Sequence, residues 1–85
     1  MNDTTLLRLP DLRIEQGKRS RSSLYNDIQN GLLTAPIKIG RQAVAWPAGE
    51  IAAINRARIA GKSDDEIRAL VTELHEARKR LVEAA

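Results

Sequence analysis

The sequence predicts a mainly α-helical domain with one small β-hairpin: a winged helix-turn-helix followed by a C-terminal amphipathic helix. Three observations predict it. LRLPDL, at residues 7–12, reads as a short helix entered through a proline. RSRSSLYNDIQNGL, at residues 19–32, reads as a basic turn and a second helix rich in small polar side chains. PIKIGRQAVAW, at residues 36–46, reads as two short strands around a tight turn. The second helix suits the major groove of DNA, and the hairpin suits the flanking backbone.

Each element has a local cause. Met1 to Thr5 is polar and is expected to fray. The first helix is expected from Pro10, because proline is favoured at a first helical position, with Asp11 complementing the dipole in the first turn. It ends near Gln16, with Gly17 as its stop, and Lys18 and Arg19 form the turn. Ser20 is a good N-cap for the second helix, which runs to about Asn30 and stops at Gly31.

The second helix can be phased. With Leu24 at zero and about 100° per residue, Ile28 falls near 40°, so the two point inward together. Ser22, Asn26 and Gln29 then fall about 160°, 200° and 140° from Leu24, on the opposite face, flanked by Ser23 and Tyr25. A plain surface helix prefers Glu, Lys and Arg. Small and amide side chains suit a face that approaches a groove closely.

Leu32 to Pro36 is a connector. Ile37-Lys38-Ile39 and Ala43-Val44-Ala45-Trp46 alternate or run apolar, as short strands do. Gly40-Arg41-Gln42 is the turn between them, which puts Arg41 at the tip. Trp46 is the one large ring in the composition and is expected in the core. A third helix is expected from Pro47 to about Ala60, with Ile51 and Ile54 at helical spacing, either Pro47 at its first position or Gly49 as its cap, and Gly61 as its stop. Ser63-Asp64-Asp65-Glu66 is a capping box opening a fourth helix. Ile67, Leu70, Val71, Leu74, Ala77, Leu81 and Val82 form one stripe along it, interrupted by Arg78. The expected organisation is a winged DNA-binding domain over residues 1–61 and an amphipathic helix over residues 62–85.

Charge supports a polyanion partner. From Arg8 to Arg41 seven basic residues face three acidic ones, whereas from Gln42 onward seven bases meet seven acids. The excess positive charge therefore sits on the half with the turn, the second helix and the hairpin. The residues expected to contact DNA are Lys18, Arg19, Ser20, Arg21, Ser22, Ser23, Tyr25, Asn26, Lys38 and Arg41. Asn pairs bidentately with adenine and Arg with guanine, while Ser hydroxyls and helix N-terminal amides hold phosphates. Arg41 suits a phosphate or the negative potential of a minor groove. Tyr25 either donates to a phosphate or packs against the first helix.

Other classes are poorly served. The absence of Cys excludes disulfides and thiolate metal sites, and His75 alone builds no zinc site. Asp64, Asp65 and Glu66 stand where a helix start favours negative charge. His75 reads as a solvated residue on the flank of its helix. No catalytic residues, cofactor, metal or small-molecule substrate are expected. No apolar run approaches the ~20 residues that span a bilayer. With no signal peptide in evidence at the N-terminus, a cytoplasmic location is expected.

In combination these residues resemble the AlpA family of prophage-associated transcriptional regulators, within the wider excisionase and MerR-like winged-helix group. The resemblance spans Leu7 to about Ala60. It rests on the Ser-Arg-Ser-Ser-Leu-Tyr run, the Pro-x-Lys-Ile-Gly strand and the Ala-Val-x-Trp strand. It implies a bacterial or phage DNA-binding protein that regulates integrase or excisionase genes. It also implies recognition-helix roles for Arg21, Ser22, Ser23 and Tyr25, a wing arginine in Arg41 and a core tryptophan in Trp46. Lys18 and Arg19 depart from the family's apolar residue after the turn glycine. Two other readings remain: an excisionase-like architectural factor that bends DNA, and a small-terminase-like assembly adaptor acting through the C-terminal helix. The stripe on that helix is covered either by the chain's own core or by a second copy. A homodimer through Ile67, Leu70, Val71, Leu74 and Leu81 would pair two half-sites, and a chain cut after Gly61 would then still fold.

Overall fold

The computed structural model describes residues 4–84, with side chains described as far as residue 81. The order of elements is β1 (Leu6–Leu7), α1 (Leu9–Glu15), α2 (Arg21–Gln29), β2 (Ile37–Lys38), β3 (Val44–Pro47), α3 (Ala48–Ile59) and α4 (Asp64–Ala84). Among the described residues, four helices thus surround a three-stranded antiparallel sheet of order β1-β3-β2.

The expected helix starts and stops hold to within a residue or two. α1 begins at Leu9, so Pro10 is its second residue. After it the chain reverses through two consecutive left-handed residues, Gly17 and Lys18. Their amides fold back on the Ile14 and Arg13 carbonyls. Glycine takes that conformation freely and lysine does not, so the Arg13 carbonyl, 2.6 Å from the Lys18 nitrogen, helps to hold the second position. Ser20 caps α2 by accepting from the Ser23 amide at 3.1 Å. The capping box of α4 is closed in both directions, Ser63 N–H to Glu66 and Glu66 N–H to the Ser63 hydroxyl. The Ser63 amide, then its hydroxyl and the Lys62 charge, hold the Glu66 carboxyl below its usual range. Pro47 ends β3 and occupies the cap position of α3, so Pro47 is not its first helical residue and Gly49, inside the helix, is not its cap.

One strand goes beyond the expected hairpin. Leu6 pairs with Pro47 and Leu7 with Trp46, and the Thr5 carbonyl accepts from Ala48 at 2.7 Å. The polar start expected to fray is therefore tied down by Thr5; Met1 to Asp3 lie outside the described residues. On its other edge β3 pairs with β2, and Ile39 N–H to the Ala43 carbonyl closes the turn.

The core forms where the elements converge. Leu7, Leu12, Leu24, Leu33, Trp46, Ile51 and Ile54 pack there with Ile67 and Val71 of α4. Leu70 and Leu74 pack against its edge. The expected division at residue 61 does not separate two cores. The first turns of α4 bury their stripe on the chain itself, so Ile67 and Val71 have no surface left for a dimer seam. Leu81 is 66% exposed, and the side chain of Val82 lies outside the described residues. Arg78 interrupts the stripe because it reaches α3, where it forks onto Glu50 at 2.6 and 2.7 Å.

Thr34 is fully buried and its carbonyl accepts from Trp46 Nε1 at 3.0 Å, but among the described residues its hydroxyl has no partner. A buried, unsatisfied hydroxyl is destabilising by about 1–3 kcal/mol. Valine has nearly the same shape, so Thr34→Val is expected to stabilise the fold by about 1 kcal/mol, seen as a rise of several degrees in the thermal midpoint. A lower midpoint would show that the hydroxyl is satisfied in solution.

Candidate nucleic-acid interface

α2 presents the outward face that its phasing predicts. Leu24 is fully buried and Ile28 packs against the core, while Ser22, Asn26 and Gln29 are exposed. Arg21 is exposed as well, with its guanidinium 5.3 Å from the centre of the Tyr25 ring. That contact restrains a long side chain at the start of the helix without using its hydrogen-bond donors. Tyr25 packs against the core rather than standing free, and its ring meets Trp46. The two rings meet edge to face with centroids 6.2 Å apart. The contact locks α2 to β3, the strand that continues from the hairpin turn.

The basic turn divides into two kinds of residue. Lys18 is exposed at the left-handed position and has no side-chain partner among the described residues. Arg19 is engaged internally. Its guanidinium reaches Asp27 at 2.6 Å and the Ser23 hydroxyl at 2.7 and 3.1 Å, and its carbonyl accepts from Arg13 Nε at 2.8 Å. Ser23 is half-buried and its hydroxyl accepts from Arg19; the Ser20 hydroxyl accepts from the cap amide. Of the expected contact residues, Arg19, Ser20 and Ser23 therefore build the turn, while Lys18, Arg21, Ser22 and Asn26 stand outward from it.

Asp27 is the residue that sequence reading missed. It is the only acid in α2, and its side chain is 11% exposed. Arg19 binds it directly and Arg58 of α3 approaches it at 3.9 Å. Pairing that acid inward leaves the outer face of α2 without negative charge. A clue was available: a lone acid in an otherwise uncharged helical stretch, behind a run of arginines. A second polar seam, also unforeseen, joins α1 to α3. Asn55 accepts from Gln16 at 2.6 Å and donates to the Glu15 carbonyl at 3.2 Å.

At the hairpin, Lys38, Gly40, Arg41 and Gln42 are all exposed, and Ile39 is half-exposed beside them. Neither Lys38 nor Arg41 has a side-chain partner among the described residues, so both cations face solvent. His75 differs from expectation. It is half-buried, and its Nε2 accepts the Ala35 N–H at 3.1 Å. Among the described residues, no group of His, Asp and Glu is placed to hold a metal ion, and no helix is long and apolar enough to cross a membrane. In comparisons with known proteins, the chain matches no family model, no curated protein and no solved structure.

Proposed function

We propose that this chain is a winged helix-turn-helix regulator that binds duplex DNA by sequence, with α2 in the major groove and the β2–β3 hairpin on the backbone or in the adjacent minor groove. The observation that carries the reading is the outer face of α2. It offers Arg21, Ser22, Asn26 and Gln29, its one acid is neutralised on the inner side, and its amino end adjoins the free cation of Lys18. Nine residues at about 1.5 Å each give a rod of about 13.5 Å, and a helix diameter of about 10–12 Å with side chains matches a groove about 12 Å wide. Asn26 is the candidate reader of adenine and Arg21 of guanine. Lys18, Lys38 and Arg41 supply charge for the backbone. The resemblance to AlpA-type regulators narrows the proposal to a regulator carried by a phage or mobile element.

The test is a binding titration against the DNA upstream of the chain's own gene, repeated across salt concentrations. With about four to six phosphates neutralised, the log–log slope should be roughly −4 to −5. Asn26→Ala should cost about 1–3 kcal/mol on the preferred site and little on random DNA, whereas Arg41→Ala should weaken both. A flat salt response, or no binding at low salt, would reject the reading. Equal losses on both DNAs for Asn26→Ala would remove Asn26 as a base reader.

A further inference from the structure

α4 takes hold of a single residue in the connector that leads into the hairpin. His75 Nε2 accepts the Ala35 N–H at 3.1 Å, and Arg78 Nη2 donates to the Ala35 carbonyl at 2.7 Å. The same Arg78 nitrogen binds Glu50 at 2.6 Å, so the grip is referred to α3 as well. One residue earlier, the Thr34 carbonyl accepts from Trp46. The connector is thus held from β3 on one side and from α4 on the other.

The chain beyond Ala35 is stiff. The next residue is Pro36, whose ring fixes its own φ and restricts Ala35 to extended conformations. Ile37 then begins β2 directly. β2 has only two residues, paired to Ala45 and Val44. So short a ladder does little to fix its own direction. The orientation of the incoming strand is therefore set largely where Ala35 is held, and Pro36 carries it forward to Lys38 and, beyond the turn, to Arg41.

We propose that His75 and Arg78 are positioning residues for the hairpin, making the C-terminal helix a determinant of how Lys38 and Arg41 meet DNA although it lies outside the DNA-reading face. The imidazole serves only with Nε2 unprotonated, as an acceptor. Arg78 serves only because its guanidinium can bond Glu50 and the Ala35 carbonyl together, which a single ammonium cannot match. The effect on DNA rests on the function proposed above; the effect on the hairpin does not.

Amide hydrogen exchange and a double-mutant cycle test the two parts. In the full chain, His75→Ala should speed exchange at Ala35 and Ile39 about tenfold or more while leaving Leu24 in α2 unchanged. His75→Gln, whose side-chain carbonyl can accept the same N–H, should restore slow exchange. On DNA, His75→Ala should weaken binding about three- to tenfold when Arg41 is present and less than about twofold in an Arg41→Ala background. Unchanged exchange at Ile39, or equal losses in both backgrounds, would overturn the proposal. Should His75→Ala accelerate every amide, Arg78→Lys decides, because it keeps a cation against Glu50: faster exchange confined to Ala35 and the hairpin supports the proposal, and none overturns it. A full chain that binds no DNA would fail the function above, while the exchange at Ile39 would still decide whether α4 sets the hairpin.

Discussion

A chain ended after Gly61 is expected not to fold. α4 contributes Ile67 and Val71 to the core, and Leu70 and Leu74 to its edge. Each such side chain is worth about 1.5–3 kcal/mol when fully buried, so the four together supply up to roughly 6–12 kcal/mol. That rivals the roughly 5–15 kcal/mol by which a whole domain is stable. The cut also removes Arg78, leaving the buried Glu50 carboxylate unpaired, and takes away both side-chain partners of the Ala35 peptide groups. The outcome is the reverse of what a dimer seam on the apolar stripe would give, namely a shortened monomer that still folds. An amide NMR spectrum and a thermal melt by circular dichroism distinguish the two. Collapsed amide dispersion without a cooperative transition is expected. A dispersed spectrum with a sharp melt would make α4 an appendage and return the apolar stripe to the surface.

Local features were legible because their causes lie within a few residues. Ser20 three positions before Ser23, and Ser63 three before Glu66, are spacings that only a helix start brings into register, and both bonds form. The outer face of α2 was legible for the same reason: one angle per residue separates Leu24 and Ile28 from Ser22 and Asn26. The partners that decide what the remaining charges do lie far away in the chain. Arg19 looked like a DNA contact because it stands in a basic run, yet Asp27, two helical turns on, draws it inward. Arg78 looked like a defect in a stripe because Glu50 is 28 positions away. β1 is two residues long, too short to show alternation, and its partner strand lies about forty positions on. Periodicity thus identified the surface of the candidate site, and long-range pairing decides which of its charged residues remain free to bind.

The Glu50–Arg78 pair is where a single substitution should do the most damage. Glu50 stands in the first turn of α3 with its side chain 10% exposed, and Arg78 grips both of its oxygens. The start of a helix favours a carboxylate, but by about 2 kcal/mol at most. Removing one partner of a buried pair is destabilising by about 3–5 kcal/mol, because the other charge stays in a poorly solvated place. Arg78→Met keeps most of the apolar stem and deletes the charge, so packing losses stay small. For a domain of 85 residues each kcal/mol moves the midpoint by about 4–8 °C, so a fall of roughly 12–40 °C is expected. Adding Glu50→Gln removes the stranded charge and should recover part of the loss, leaving the midpoint above that of Arg78→Met alone. Recovery stops short of the starting value because the Ala35 carbonyl still lacks its donor. If Arg78→Met costs less than about 1 kcal/mol, the pair behaves like an exposed one, and α4 is held by its apolar residues alone.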